Sequence, residues 1–341
     1  MAGFQDIIGH NQIVHHLKSA IAMDKISHAY IFNGEEYSGK MMLAEAFAMT
    51  LQCEKHSTEP CMKCRSCRQA LEHNQPDIIY VTHEEAKSKK KTDEKEKPAN
   101  ISVDDIRTQI NHDIAIKPYS SKYKIYIVDH AEKMNVQAQN ALLKTIEEPP
   151  KYGMILLLTT NADAFLPTIL SRCITLNLKS VHEDLIKRHL IRTFQIPDYL
   201  ADVCTAFAQG NVGRALQLAS SEDFNELKGK VLHLVKKIHD LEFYELNQII
   251  KDISDHKKQM DEFLDLLTFW YRDVLYVKAT MDINNLIFKD EVYDIKKQAA
   301  KISYSGIETI LQAIETARVR LKANVNFNLV IKLMLLSIKE N

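Results

Sequence analysis

Gly34-Glu35-Glu36-Tyr37-Ser38-Gly39-Lys40-Met41 carries the spacing Gly-x4-Gly-Lys, with which a loop cradles phosphate on backbone N–H groups at the N-terminus of a helix. Ser27 to Asn33 just before it is a short apolar run, and Lys40 to Leu51 has apolar residues at helical spacing, so the stretch reads strand, loop, helix. In the complete motif a Ser or Thr hydroxyl follows the lysine and ligates Mg²⁺. Here that position is Met41. A thioether is a soft, weak ligand for a hard cation, so Mg²⁺-nucleotide chemistry is not expected here even where phosphate can be held.

Further strands are expected at Asp77 to Val81, Tyr123 to Asp129 and Met154 to Thr160, the last two being runs of the length found in strands buried on both faces. A helical pattern, Val136 to Glu147, lies between the last two. Alternation of this kind implies a parallel sheet covered by helices, with ligand at the carboxyl ends of its strands. Beyond about Ser180 strand signals vanish. His182 to Leu218 and Asp223 to Glu340 follow a 3.6-residue period, which divides the chain into residues 1–179, a small helical domain at 180–220 and a larger all-helical domain at 221–341. In the last of these, Phe263, Leu266, Leu267, Trp270, Tyr271 and Leu275 form an apolar stripe read as core. Glu84 to Asn100 is almost wholly charged or polar and reads as a solvated insertion.

Cys53, Cys61, Cys64 and Cys67 are spaced C-x7-C-x2-C-x2-C directly behind the first helix. Four thiols in one short stretch suit tetrahedral zinc with no open position, the closed geometry of a structural site; free thiols or redox use are the other reading. His56 within the loop is read as solvent-facing, and Cys173 and Cys204 as small packed side chains. At the end of the third strand stands Asp129-His130-Ala131-Glu132. Asp129 fits a metal-binding role, but His130 replaces the second acid that would polarise water, and Glu132 reads as a helix-start acid.

Lys plus Arg (44) nearly balance Asp plus Glu (45), so the charge is not that of a protein that grips nucleic acid alone. Glycine (9) and proline (8) are scarce, which favours long regular elements. Met1 to His10 lacks the pattern of a secretory leader and no apolar run is long enough to cross a bilayer, so the chain is read as cytoplasmic with no membrane partner.

In the order of these motifs the chain resembles the AAA+ clamp-loader subunits of bacteria. The resemblance rests on Gly34 to Met41, the cysteine module behind the first helix, Asn140-Ala141-Leu142-Leu143-Lys144-Thr145-Ile146-Glu147-Glu148-Pro149-Pro150, Leu158-Thr159-Thr160-Asn161, and Leu166 to Cys173. It covers residues 1 to about 215 well. It implies an α/β P-loop NTPase (AAA+) domain with a parallel sheet and an inserted zinc module, then a helical lid and an all-α collar. It also implies an assembly with gamma/tau and delta clamp-loader subunits that sets a sliding clamp on primed DNA. Within Ser171-Arg172-Cys173, Arg172 would be an arginine finger offered to ATP in a neighbouring subunit. Gly34, Gly39, Lys40, Asp129, Thr160 at a sensor position and Arg214 in the lid would form a degenerate nucleotide site. The motor subunit of such assemblies keeps Gly-Lys-Thr and an acidic pair, where this chain has Gly-Lys-Met and Asp-His.

Two other readings of the residues stay open at this point. One is a true ATPase in which His130 and Ser38 substitute for the missing groups. The other is a zinc-dependent nucleic-acid binder using Lys63, Arg65 and Arg68, although Glu54, Glu59 and Glu72 surround them.

Overall fold

The apolar runs form strands because each can bury both faces. A computed structural model describes residues 3–81, 100–242, 244–246, 248–250 and 259–341; the charged stretch from Glu84 to Asn100 lies outside the described residues apart from Asn100. The chain divides into two compact units, Met1–Leu185 with Gly210–Gly213, and Ile186–Gln209 with Arg214–Asn341.

In the first unit β1 (Ala29–Asn33), β2 (Ile78–Val81), β3 (Lys124–Val128), β4 (Gly153–Thr159) and β5 (Ile174–Asn177) make a parallel sheet in the order β2-β3-β4-β1-β5. Successive side chains alternate between two cores. Tyr30, Phe32, Ile125, Ile127, Leu156 and Leu158 face one side, while Ile31, Tyr126, Val128, Ile155 and Leu157 face the other. The helix α2 (Lys40–Gln52), which follows α1 (Asn11–Ala22), is buried on nearly every face; its Phe47 meets Tyr30 edge to face at 5.3 Å. Each such fully buried side chain is worth about 1.5–3 kcal/mol.

The second core is closed by α4 (Val103–Ile106) and α5 (Val136–Glu147), which come after α3 (Arg65–Leu71). Asn135 caps α5 by accepting the Ala138 N–H at 2.8 Å. A π-helical segment, Arg107–His112, continues α4, and Asn111 ties it to α5. Its Nδ2 donates to the Ala141 carbonyl at 2.9 Å, and its Oδ1 accepts the Thr145 hydroxyl at 3.0 Å. The short helix α6 (Pro167–Leu170) links β4 to β5.

Four of these strands follow the expected runs to within two residues; β5 was not expected. Only Leu176 of its four residues is buried, so the run Ile174–Asn177 lacks the continuous apolar signal of a central strand.

The second unit is helical: Met260–Thr280, Val292–Lys301, Tyr304–Lys322 and Phe327–Glu340 follow Glu222–Lys237. Phe263, Leu266, Leu267, Trp270 and Tyr271 are all core residues, as the stripe implied, and Leu275 is half-buried. Trp270 donates its indole N–H to Gln298 at 2.8 Å, and Gln298 in turn donates to the Val235 carbonyl at 2.6 Å. Among the described residues, no helix is long and apolar enough to cross a membrane.

Candidate functional site

The sheet register brings the candidate residues to one edge. Asn33 pairs with Thr159 and Val128 with Leu157, so the segments that leave β1, β3 and β4 emerge side by side. Gly34 continues β1 by donating its N–H to the Thr159 carbonyl at 3.1 Å. A cleft of about 450 Å³ opens there, lined by Glu36, Tyr37, Gly39, Lys40, Met41, Met42, Asp129 and His130.

Gly39 caps α2 in a left-handed conformation (φ 93°) that residues with a Cβ rarely adopt, which turns the loop into the helix. Lys40 is 9% exposed, and its ammonium is folded back onto the loop, donating to the carbonyls of Gly34 at 2.6 Å and Glu35 at 3.2 Å. Burial pushes its pKa below the ordinary lysine value, against the opposing charges of Glu132, Asp129 and Glu36. The loop is braced from outside itself: Asn211 Nδ2 donates to the Glu36 carbonyl at 2.7 Å, and the Gly213 N–H to that of Tyr37 at 3.2 Å. Position 213 needs glycine because a Cβ there would lie 2.5 Å from the Tyr37 oxygen. His10 Nε2 lies 3.2 Å from the Ser38 carbonyl.

Across the cleft, His130 sits in a left-handed conformation (φ 49°), and its backbone N–H donates to Asp129 Oδ1 at 2.9 Å. Glu132 is more than the helix-start acid expected of it. It opens a 3₁₀ turn, but its carboxylate lies 3.4 Å from His130 Nδ1 and accepts the Thr160 hydroxyl at 3.2 Å and the Thr160 N–H at 3.4 Å. Burial pushes the Glu132 pKa up, but hydrogen bonds from its own N–H, Thr159, His130 and Thr160 outweigh this and hold it below the ordinary range. Sequence reasoning missed this acid as the link between Thr160 and His130. It also missed Asn211, Gly213 and His10; the small-residue turn Gly210-Asn211-Val212-Gly213 was the available signal.

Gly39, Lys40 and Asp129 are thus gathered at one cleft, with Gly34 joined to it through the Lys40 ammonium and Thr160 through Glu132. Arg172 stands apart, 40% exposed, and bonds Thr168, Ser171 and Glu147, none of which lines the cleft. Arg214 belongs to the second unit. The segment leading to Arg172 is clamped by Gln139, which is 3% exposed. Its Nε2 donates to the Met134 and Ala164 carbonyls, both at 3.1 Å, and its Oε1 accepts the Leu166 N–H at 2.8 Å. Gln139→Leu keeps the volume but strands all three backbone groups, so a loss of about 2–4 kcal/mol is expected. Denaturant melting with amide exchange at Leu166 measures it; unchanged protection there would remove the clamp.

The four cysteine sulfurs, of Cys53, Cys61, Cys64 and Cys67, lie within 4.8 Å of one another. Tetrahedral zinc with Zn–S bonds of about 2.3 Å separates its sulfurs by about 3.8 Å, so the set needs only slight contraction around an ion. The backbone already treats the sulfurs as acceptors: the N–H groups of Cys61, Cys64 and Cys67 point to the sulfurs of Cys53, Cys61 and Cys64, each at 3.4 Å. Backbone N–H groups of Lys63 and Cys64 lower the Cys61 thiol to about 6, while burial raises those of Cys53 and Cys67. His56 is exposed, outside the cluster.

Comparison with known proteins adds findings of three kinds. A family model described as DNA polymerase III, delta subunit, matches residues 9–182, and one described as the C-terminal part of that subunit matches residues 233–340. DNA polymerase III subunit delta' of Bacillus subtilis is 29% identical over 328 residues, covering 95% of this chain and 94% of that protein. Subunit tau of the same organism is 27% identical over 311 residues, covering 85% of this chain but only 53% of the tau protein. Among solved structures, a DNA polymerase III gamma subunit-related protein of Thermotoga maritima aligns over 96% of this chain and 98% of its own, with 22% identity and a TM-score of 0.41.

Proposed function

Since the chain belongs to the DNA polymerase III delta-subunit family, we propose that it serves as the delta-prime-type subunit of a bacterial clamp loader and leaves ATP hydrolysis to its neighbours. In this role it joins gamma/tau and delta subunits in opening a sliding clamp and closing it on primed DNA in the cytoplasm. Residues 1–179 act as the AAA+-like body, 180–220 as a small lid and 221–341 as the collar that holds the assembly.

The observation that carries this reading is the pairing of an impaired cleft with an intact, outward arginine. In the cleft Met41 stands at the magnesium-ligand position and His130 at the second acid. Phosphoryl transfer needs a metal held at the γ-phosphate and a group that orients water; Met41 takes a ligand from the first, leaving Asp129, and His130 replaces the acid of the second. Arg172 is exposed and away from that cleft, where it can meet a nucleotide held by another chain. A guanidinium at the γ-phosphate neutralises charge that grows in the transition state.

The isolated chain should therefore show no Mg²⁺-dependent ATP turnover above background, and Lys40→Ala should match wild type. Steady turnover that disappears in Lys40→Ala would instead support an active ATPase of gamma/tau type.

A further inference from the structure

We propose that Glu147 is the positioning residue for Arg172, a role that rests on the reading of Arg172 as a finger. Glu147 is the last residue of α5 and Glu148 follows it. Two carboxylates at a helix C-terminus face the negative end of the helix dipole, where cations are favoured, so the local sequence works against its own helix. Sites that break a local rule in this way are where a functional demand is expected. Lys144 is the cation in the helix's own last turn, and Arg172 brings a second from outside it: its Nη2 lies 3.1 Å from Glu147 Oε1.

The same guanidinium donates from Nη1 to the Thr168 carbonyl at 3.1 Å and to the Ser171 hydroxyl at 3.3 Å. A guanidinium has five N–H groups. Nη1 is thereby spent on Thr168 and Ser171, Nη2 meets Glu147 as an ion pair, and among the described residues Nε–H meets no acceptor. Nε–H remains for an incoming phosphate, so the contacts orient the finger without consuming it.

The support behind Glu147 is rigid. Asn135 caps the start of α5, Gln139 ties its first turns to Ala164 and Leu166, and Asn111 holds Ala141 and Thr145 near its end. A carboxylate fixed to a braced helix reduces the ordering that Arg172 must undergo when a neighbour's nucleotide arrives. Glu147 and Arg172 are 46% and 40% exposed, so the pair contributes little to folding and its effect should fall on turnover.

The test is single-turnover ATP hydrolysis at the adjoining site of the assembled loader, comparing wild type, Glu147→Gln, Arg172→Ala and the double variant. Glu147→Gln should slow the saturated rate about fivefold, the size an exposed ion pair supports, with the half-saturating ATP concentration and the melting temperature unchanged. In the Arg172→Ala background it should have no further effect. A wild-type or faster rate in Glu147→Gln, while Arg172→Ala is impaired, would overturn the positioning role. An equal additional loss in the double variant would do the same, by placing the action of Glu147 elsewhere. A wild-type rate in Arg172→Ala would instead overturn the finger itself.

Discussion

Arg172→Ala is expected to slow ATP hydrolysis at the adjoining site of the assembled loader by about 10³-fold or more while the amount of complex stays the same. The separation of these two effects follows from where the side chain sits. Its partners are one half-exposed carboxylate and two groups of its own turn, so truncation removes contacts worth at most about 1 kcal/mol to folding. At a γ-phosphate the same guanidinium would act in a site from which water is excluded, where a placed charge has a far larger effect on the transition state. Arg172→Lys should recover only part of the rate, because an ammonium keeps the charge but lacks the planar fork. The measurement is one cycle of hydrolysis with clamp and primed DNA, at assembly matched by gel filtration, since other sites in the complex could mask the loss in a steady-state rate. An unchanged rate with intact assembly would reduce Arg172 to a surface ion pair and this chain to scaffold.

How far the sequence disclosed this arrangement depended on whether a signal was local. The runs Tyr123 to Asp129 and Met154 to Thr160 are apolar because both faces of β3 and β4 are covered, so hydropathy alone located them. The edge strand β5 buries little and left no such trace. The loop Gly34 to Met41 was legible from its own spacing, yet the groups that brace it are remote: Asn211 lies 175 residues from Glu36, and His10 lies 28 from Ser38. Neither contact could be read from composition or period. Glu132 was read only in part for a related reason. Its place at the start of a 3₁₀ turn fits the helix-start reading, and only the register of β3 against β4 brings Thr160 to its carboxylate. The ion pair between Arg172 and Glu147 likewise needs the fold, although both residues lie in motifs visible in the chain.

Withdrawal of metal from the cysteine module should produce the largest loss of structure in this protein. The helix of the segment between α2 and β2, α3, is seven residues long, too short to be stable alone, and its buried side chains are Ser66, Cys67 and Ala70. Cys53 and Cys67 are fully buried, so without a cation their sulfurs are thiols packed among one another rather than a bonded cross-link. Structural zinc bound by thiolates contributes an apparent 10–16 kcal/mol at neutral pH, about the whole stability of an ordinary domain. One zinc per chain is therefore expected by native mass spectrometry, falling to none in Cys67→Ser. Chelation should release amide protection at Cys61, Cys64 and Cys67, while Ile31 and Leu157, deep in the sheet with their own core, should exchange slowly as before. Protein purified without metal, showing the same protection with or without chelator, would turn the four cysteines into free thiols. The short helix would then be held by the packing of Cys53, Cys67 and Ala70 in the core and by the Ser66 N–H to Glu54 and Gln75 to Ser66 hydrogen bonds, at 3.3 and 3.2 Å.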